Sequence, residues 1–181
     1  RNIGLIAQMA YEWVQRLGDI RVLEWENIEL EGRRVDLQQS KRRAAVSLPI
    51  SEELAGMLTQ QHEDFGFQKY VAPMIVPRSG EFIPYTKQRL SKVSRQVLIA
   101  AGLPSELWLM DLRRTGTTQM NDAGVSMGQI MSVTGHVNPQ SVKSYLTHTY
   151  ASANSALTKR QNNGKSIAPC RMKGVTSGGT E

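Results

Sequence analysis

Between Ile28 and Pro49 the hydrophobic period of the chain changes, and this change bounds the fold. Before it, Ile3, Ile6, Ala10, Trp13 and Leu17 recur at three- and four-residue steps, as a helix with one buried stripe requires. Then come three short β-prone runs, IEL, RRVDL and AAVSLPI, separated by EGR and by the polar, cationic QQSKRR. After Pro49 the helical pattern returns. Strands joined by so few residues pair antiparallel, since parallel neighbours need a long crossover. The expected class is α+β: mainly helical, with a small three-stranded antiparallel sheet on one side.

Local punctuation supplies the remaining elements. Gly18 interrupts the first helix, and Asp19 is placed to cap a second one carrying Ile20, Leu23 and Trp25. Ser51 caps a helix to about residue 62, with Glu52 and Glu53 suited to its positive end. Residues 65–85 hold three prolines and two isolated glycines, so irregular chain with one short strand is expected. Thr86 opens a helix ended by Gly102; further helices follow over about 111–123, stopped by Gly124, and over 126–133. Another begins at Pro139 and runs to about residue 153.

With 181 residues and 40% apolar content, the chain suits one globular domain over residues 1–158. A Gly-, Ser-, Lys- and Asn-rich tail over 159–181 is expected to be disordered. Arg1 leads almost at once into an amphipathic pattern, which predicts a piece truncated at its N-terminus. Twenty-two Lys and Arg against sixteen Asp and Glu give a charge of +6, which favours a polyanionic partner if the cations gather on one face. The single Cys170 excludes an intramolecular disulfide framework and thiolate-rich zinc sites. No apolar run reaches membrane-span length.

Four recognisable junctions carry cationic or proton-transferring groups: Arg16 in VQRLGDIRVLEW, Lys41 in the turn between the second and third strands, Arg113 in LMDLRRTGTT, and His136 in TGHVNPQSVKSY. The last stretch ends on Tyr145. Singly, each has a plainer reading: an arginine complementing a helix end, a soluble cationic turn, a hydrogen-bonded loop histidine, a tyrosine at a core's edge. Their order is the informative feature.

That ordered set resembles the catalytic domain of the tyrosine recombinases, the phage integrase family. VQRLGDIRVLEWENIEL is similar to the family's first arginine segment, with Asp19 three residues on. QQSKRRAAVSLPIS resembles its lysine hairpin, LMDLRRTGTTQMNDAG its His-x-x-Arg box, and TGHVNPQSVKSYLTH its histidine and nucleophile segment. One position departs: Met110 stands where the box carries histidine, and a thioether cannot donate or shuttle a proton.

The resemblance implies site-specific DNA recombination by strand cleavage and rejoining through a 3′-phosphotyrosyl intermediate, with no cofactor and no metal. Arg16, Arg113 and His136 would meet the phosphate, Tyr145 would attack it, and Lys41 would protonate the leaving 5′-oxygen. Asp19 would position neighbouring groups. Tyr150 is the alternative nucleophile. The implied partner is double-stranded DNA, bound by a homotetramer on two sites in the cytoplasm of a bacterial or phage-infected cell, at the nucleoid. Lys87, Arg89, Lys92 and Arg95 form a polar side opposite Leu90, Val93, Val97 and Leu98, and are candidate DNA contacts. Two alternatives stay open: a DNA-binding module impaired by Met110, and a type IB topoisomerase.

Overall fold

Helix α1 (Asn2–Trp13) is apolar around most of its circumference, and the rest of the fold is arranged to cover it. Ile3, Leu5, Ile6, Met9, Ala10 and Trp13 are all buried, which a helix achieves only when neighbours pack on several sides. The structure, a computed structural model, describes residues 1–40, 44–143 and 149–165. After α1 come α2 (Leu17–Ile20) and a single 3₁₀ turn, Trp25–Asn27.

The sheet follows, in the order β1 (Ile28–Glu29), β2 (Arg34–Gln38), β3 (Ala45–Pro49), antiparallel throughout. Val35 lies opposite Leu48 and Leu37 opposite Val46. These four side chains face the core while Arg34, Asp36, Gln38, Ala45 and Ser47 face outward, so the alternation fixes both register and face. Each buried aliphatic side chain contributes about 1.5–3 kcal/mol. The Trp13 indole donates to the Pro49 carbonyl at 3.1 Å and ties sheet to helix.

α3 (Glu52–Phe65) is capped by the Ser51 hydroxyl, which accepts from the Leu54 amide at 3.1 Å. It buries Leu54 and Leu58 in the same core. An irregular segment to Thr86 holds only isolated bridges, Glu24 with Tyr70 and Arg78 with Glu81. α4 (Lys87–Ala100), α5 (Asp111–Asp122) and α6 (Met127–Thr134) complete the covering layer, followed by α7 (Pro139–Lys143) and α8 (Tyr150–Lys165). The expected α+β class and the antiparallel sheet are both observed.

Four expectations need correction. The first helix ends at Trp13, where Val14 turns left-handed, and not at Gly18. Asp19 sits inside the short α2 and caps nothing, its carboxylate being taken by Ser40. Trp25 belongs to the 3₁₀ turn and not to the second helix. The helix expected from Pro139 to about residue 153 is not continuous: Thr149 is non-helical and its hydroxyl accepts from the Ser152 amide at 3.1 Å, starting α8 afresh. α8 runs to Lys165, and residues 166–181 of the expected tail lie outside the described residues.

Candidate active site

The site begins with a strained turn. Val14 has φ 55 and ψ 33, a left-handed conformation that a β-branched residue adopts at a cost of about 1–3 kcal/mol. Two contacts with α5 hold it. Its carbonyl accepts from Nη1 of Arg113 at 3.0 Å, and its side chain lies over Gly116, where a Cβ would stand 2.8 Å from Cγ2 of Val14. The turn sends Gln15 into the interior and leaves Arg16 as the extended residue preceding α2.

Around Arg16 the polar groups form one connected network. Nη1 of Arg16 donates to Oε1 of Gln39 at 2.7 Å. Nε2 of Gln39 donates to Oε1 of Gln15 and to the Thr134 carbonyl, each at 2.7 Å. The same carbonyl accepts from Nη2 of Arg113 at 2.8 Å, and that nitrogen also lies 3.3 Å from Nε2 of His136. Three segments far apart in sequence therefore meet at one acceptor.

The network also selects the form of His136. The Thr134 hydroxyl donates to the Ile130 carbonyl at 2.8 Å, which leaves its oxygen to accept from Nδ1 of His136 at 2.7 Å. Nδ1 therefore carries a proton, and in the neutral ring Nε2 is the acceptor facing Arg113. Gly135, with φ 68, ends α6 and brings the histidine back to this position.

Arg16 and Arg113 open onto a cleft of about 810 Å³ between α2, α4 and the start of α5. Arg21, Lys87 and Arg114 line it as well, so five cations face one volume. Asp19 and Asp111 also line it, so positive charge remains in excess, and a polyanion is favoured there. Asp19 is the buried counter-charge: Oδ1 accepts from the Ser40 amide at 3.1 Å and hydroxyl at 2.6 Å, while Oδ2 is 4.0 Å from Arg16. Trp108 and Met110 stand on the rim. Met110 is 70% exposed, and Arg95 stacks on the Trp108 ring at 4.7 Å. Among the described residues no three His, Cys, Asp or Glu gather closely enough to hold a metal ion.

Of the expected site residues, Arg16, Arg113 and His136 are brought together. Lys41 and Tyr145 lie outside the described residues; Ser40 and Lys143 are their nearest described neighbours in sequence. Tyr150 is exposed at the start of α8, next to Thr149, which bonds to Asp122 at the far end of α5 from Arg113. Nine residues of helix separate Arg113 from Asp122, or about 13 Å of rise, so Tyr150 belongs to the other end. The four α4 cations do not share a face. Lys87 lines the cleft and Arg95 meets its rim, whereas Arg89 lies beside Tyr85 in a separate groove with Met74 and Ile75, and Lys92 is simply exposed. Val97, expected on the apolar side, is 43% exposed.

Gln15, Gln39 and Thr134 join these groups through buried hydrogen bonds, and no sequence motif marks them. A signal existed for Gln39: it continues the inward alternation of Val35 and Leu37, where an amide is out of place unless it has work inside.

A mostly helical shell over a small three-stranded antiparallel sheet matches the catalytic-domain fold of the tyrosine recombinases. The model of the phage integrase family matches residues 3–152, and the chain belongs to that family. Its fold is similar to that of XerA recombinase, at 14% identity and a TM-score of 0.72 over 88% of this chain and 57% of that one. It is likewise similar to the Tn1549 transposon integrase in complex with transposon right-end DNA (15%, TM-score 0.66, 86% and 57%). A lambda integrase tetramer bound to a Holliday junction also matches (17%, TM-score 0.62, 81% and 42%). The chain thus spans between 42% and 57% of the length of these proteins. A search of curated protein sequences found no match. Among the described residues no helix is long and apolar enough to cross a membrane.

Proposed function

We propose that this chain is the strand-cleaving part of a site-specific DNA recombinase that works through a 3′-phosphotyrosyl intermediate. The observation that carries the reading is the junction at the Thr134 carbonyl, which gathers Arg113 and His136 and, through Gln39, Arg16 beside a five-cation cleft. Such a cluster suits a phosphodiester, because charge builds on the non-bridging oxygens as a fifth oxygen approaches phosphorus. Guanidinium groups fit these oxygens with a planar fork and keep their charge at any working pH.

In this reading Tyr145 attacks phosphorus, its phenolic proton leaves, and a phosphotyrosyl ester forms as the bond to the 5′-oxygen breaks. Lys41 supplies a proton to that oxygen. The ester conserves the bond energy, so a different 5′-hydroxyl can displace the tyrosine and rejoin the strand. No further reactant is needed for the balance. The substrate is double-stranded DNA at the nucleoid, and the assembly is a homotetramer on two sites; the lambda integrase tetramer on a junction supports that arrangement.

The test is a nicked suicide duplex that traps the covalent product. Wild-type protein should migrate with the DNA after denaturation, whereas Tyr145→Phe should bind DNA and form no adduct. A second reading, a binding module without cleavage, draws on Met110, an exposed thioether on the cleft rim at the family's histidine position. Salt-sensitive binding with no wild-type adduct would favour it.

A further inference from the structure

We propose that Gln39 is the positioning residue of this site, setting both arginines and the histidine turn through one buried amide. Its effect on catalysis rests on the function proposed above; its effect on geometry does not. Gln39 directly follows β2, and its side chain enters the interior on the same side as Val35 and Leu37. It is wholly buried, with 0% exposure. A buried amide must find acceptors for its N–H groups and a donor for its oxygen, since each orphan costs about 1–3 kcal/mol.

All three needs are met, and the way they are met fixes the amide's orientation. Two oxygens, Oε1 of Gln15 and the Thr134 carbonyl, can be served only by the NH₂ end, and the Arg16 guanidinium only by the oxygen. A flipped amide would set oxygen against oxygen and NH₂ against a cation. Gln15 extends the restraint, because its own NH₂ donates to the Trp13 and Val133 carbonyls at 2.9 and 2.6 Å. The ends of α1, β2 and α6 are thereby locked to one another.

The catalytic consequence follows from what shares these atoms. The Thr134 carbonyl held by Gln39 is the one Arg113 binds, and the Thr134 hydroxyl sets the tautomer of His136. Among the described residues, the Arg16 side chain pairs with Oε1 of Gln39 and, at 4.0 Å, with Asp19. Gln39 therefore relays position without touching substrate. It also precedes Lys41 by two residues, so it anchors the strand that leads into the lysine hairpin.

Two substitutions in the 181-residue chain separate the parts. Gln39→Glu keeps an oxygen for Arg16 and loses both donors; Gln39→Met keeps the shape and loses every bond. Gln38→Ala, on the outward face of β2, is the control. Each variant is compared by thermal melting, by duplex DNA affinity, by single-turnover adduct formation on the suicide substrate, and by imidazole ¹⁵N NMR of the DNA-free protein. Misplaced donors should slow adduct formation about 10- to 100-fold with DNA affinity changed less than about 3-fold. The His136 ring signals should shift from the fixed Nδ1–H form in both variants, while His62, on α3, keeps its signals. Adduct rates within about 2-fold of wild type, or unshifted His136 signals in a variant that melts near wild type, would overturn the proposal. If wild-type protein forms no adduct, the proposed activity falls, and the His136 signals alone decide for or against Gln39.

Discussion

Val14 and Gly116 approach more closely than any side chain on residue 116 would permit: a Cβ there would meet Cγ2 of Val14 at 2.8 Å and Cγ1 at 3.3 Å. The approach matters because Val14 is held in a left-handed turn whose carbonyl receives Arg113, one helical turn before Gly116. Gly116→Ala would gain about 1 kcal/mol of helix propensity and lose about 1–3 kcal/mol to overpacking. Net destabilisation with a displaced Val14 carbonyl is the expected outcome. Urea unfolding should show a lower midpoint at an unchanged slope, and the adduct rate should fall with it.

Gly135 is constrained twice, by its φ of 68 and by the Gln39 amide, which a Cβ would meet at 2.6 Å from Cδ. Alanine and asparagine separate the two causes. Asparagine tolerates the left-handed region, so a purely conformational requirement would let Gly135→Asn pass where Gly135→Ala fails. The close approach to Gln39 predicts that both lose adduct formation by about 10-fold or more, since a shift of about an ångström costs that much. Single-turnover cleavage by an asparagine variant at the wild-type rate would refute the steric account.

Much of this architecture was legible because its signals are local. Ser51, Thr86 and Ser126 cap the helices that follow them, and Gly102, Gly124 and Gly135 adopt positive φ after those that precede them. The strands were legible from alternation. The Val14 turn was not, because nothing near a valine announces a positive φ; the reason lies 99 residues on, at Arg113, and at Gly116. Similarly, the four α4 cations looked equivalent by helical spacing, and only packing against α2, Trp108 and Tyr85 sorts them. Arg16, Arg113 and His136 were found through their order along the chain, whereas the amides joining them have no motif. Thr149, which precedes α8, bonds to Asp122, again a distant partner.

Met110 offers a gain-of-function test. It is exposed on the rim of the cleft just ahead of α5, three residues before Arg113, so an imidazole there would disturb no packing. Stability should change by less than about 0.5 kcal/mol. Met110→His should form adduct faster on the suicide duplex, because positioned acid–base or hydrogen-bonding help contributes up to about 10²-fold or more. An unchanged rate would mean that the thioether is not what limits this site.

The unequal placement of Lys87 and Arg89 predicts unequal dependence on salt. Lys87 lines the cleft that holds Arg16 and Arg113, and its Cε lies 3.9 Å from a Cβ built on Gly18, against α2. Arg89 faces away, beside Tyr85, whose hydroxyl burial pushes above its ordinary pKa while the guanidinium pulls it back. If duplex DNA occupies the cleft, Lys87 neutralises a phosphate and Arg89 does not. Each neutralised phosphate contributes about 0.9 to the slope of log affinity against log salt. Lys87→Ala should therefore weaken binding on every sequence tested and reduce that slope by about 1. Arg89→Ala should leave the slope near wild type. Fluorescence anisotropy across a salt series measures both, and equal losses in the two variants would place the DNA across both grooves of α4.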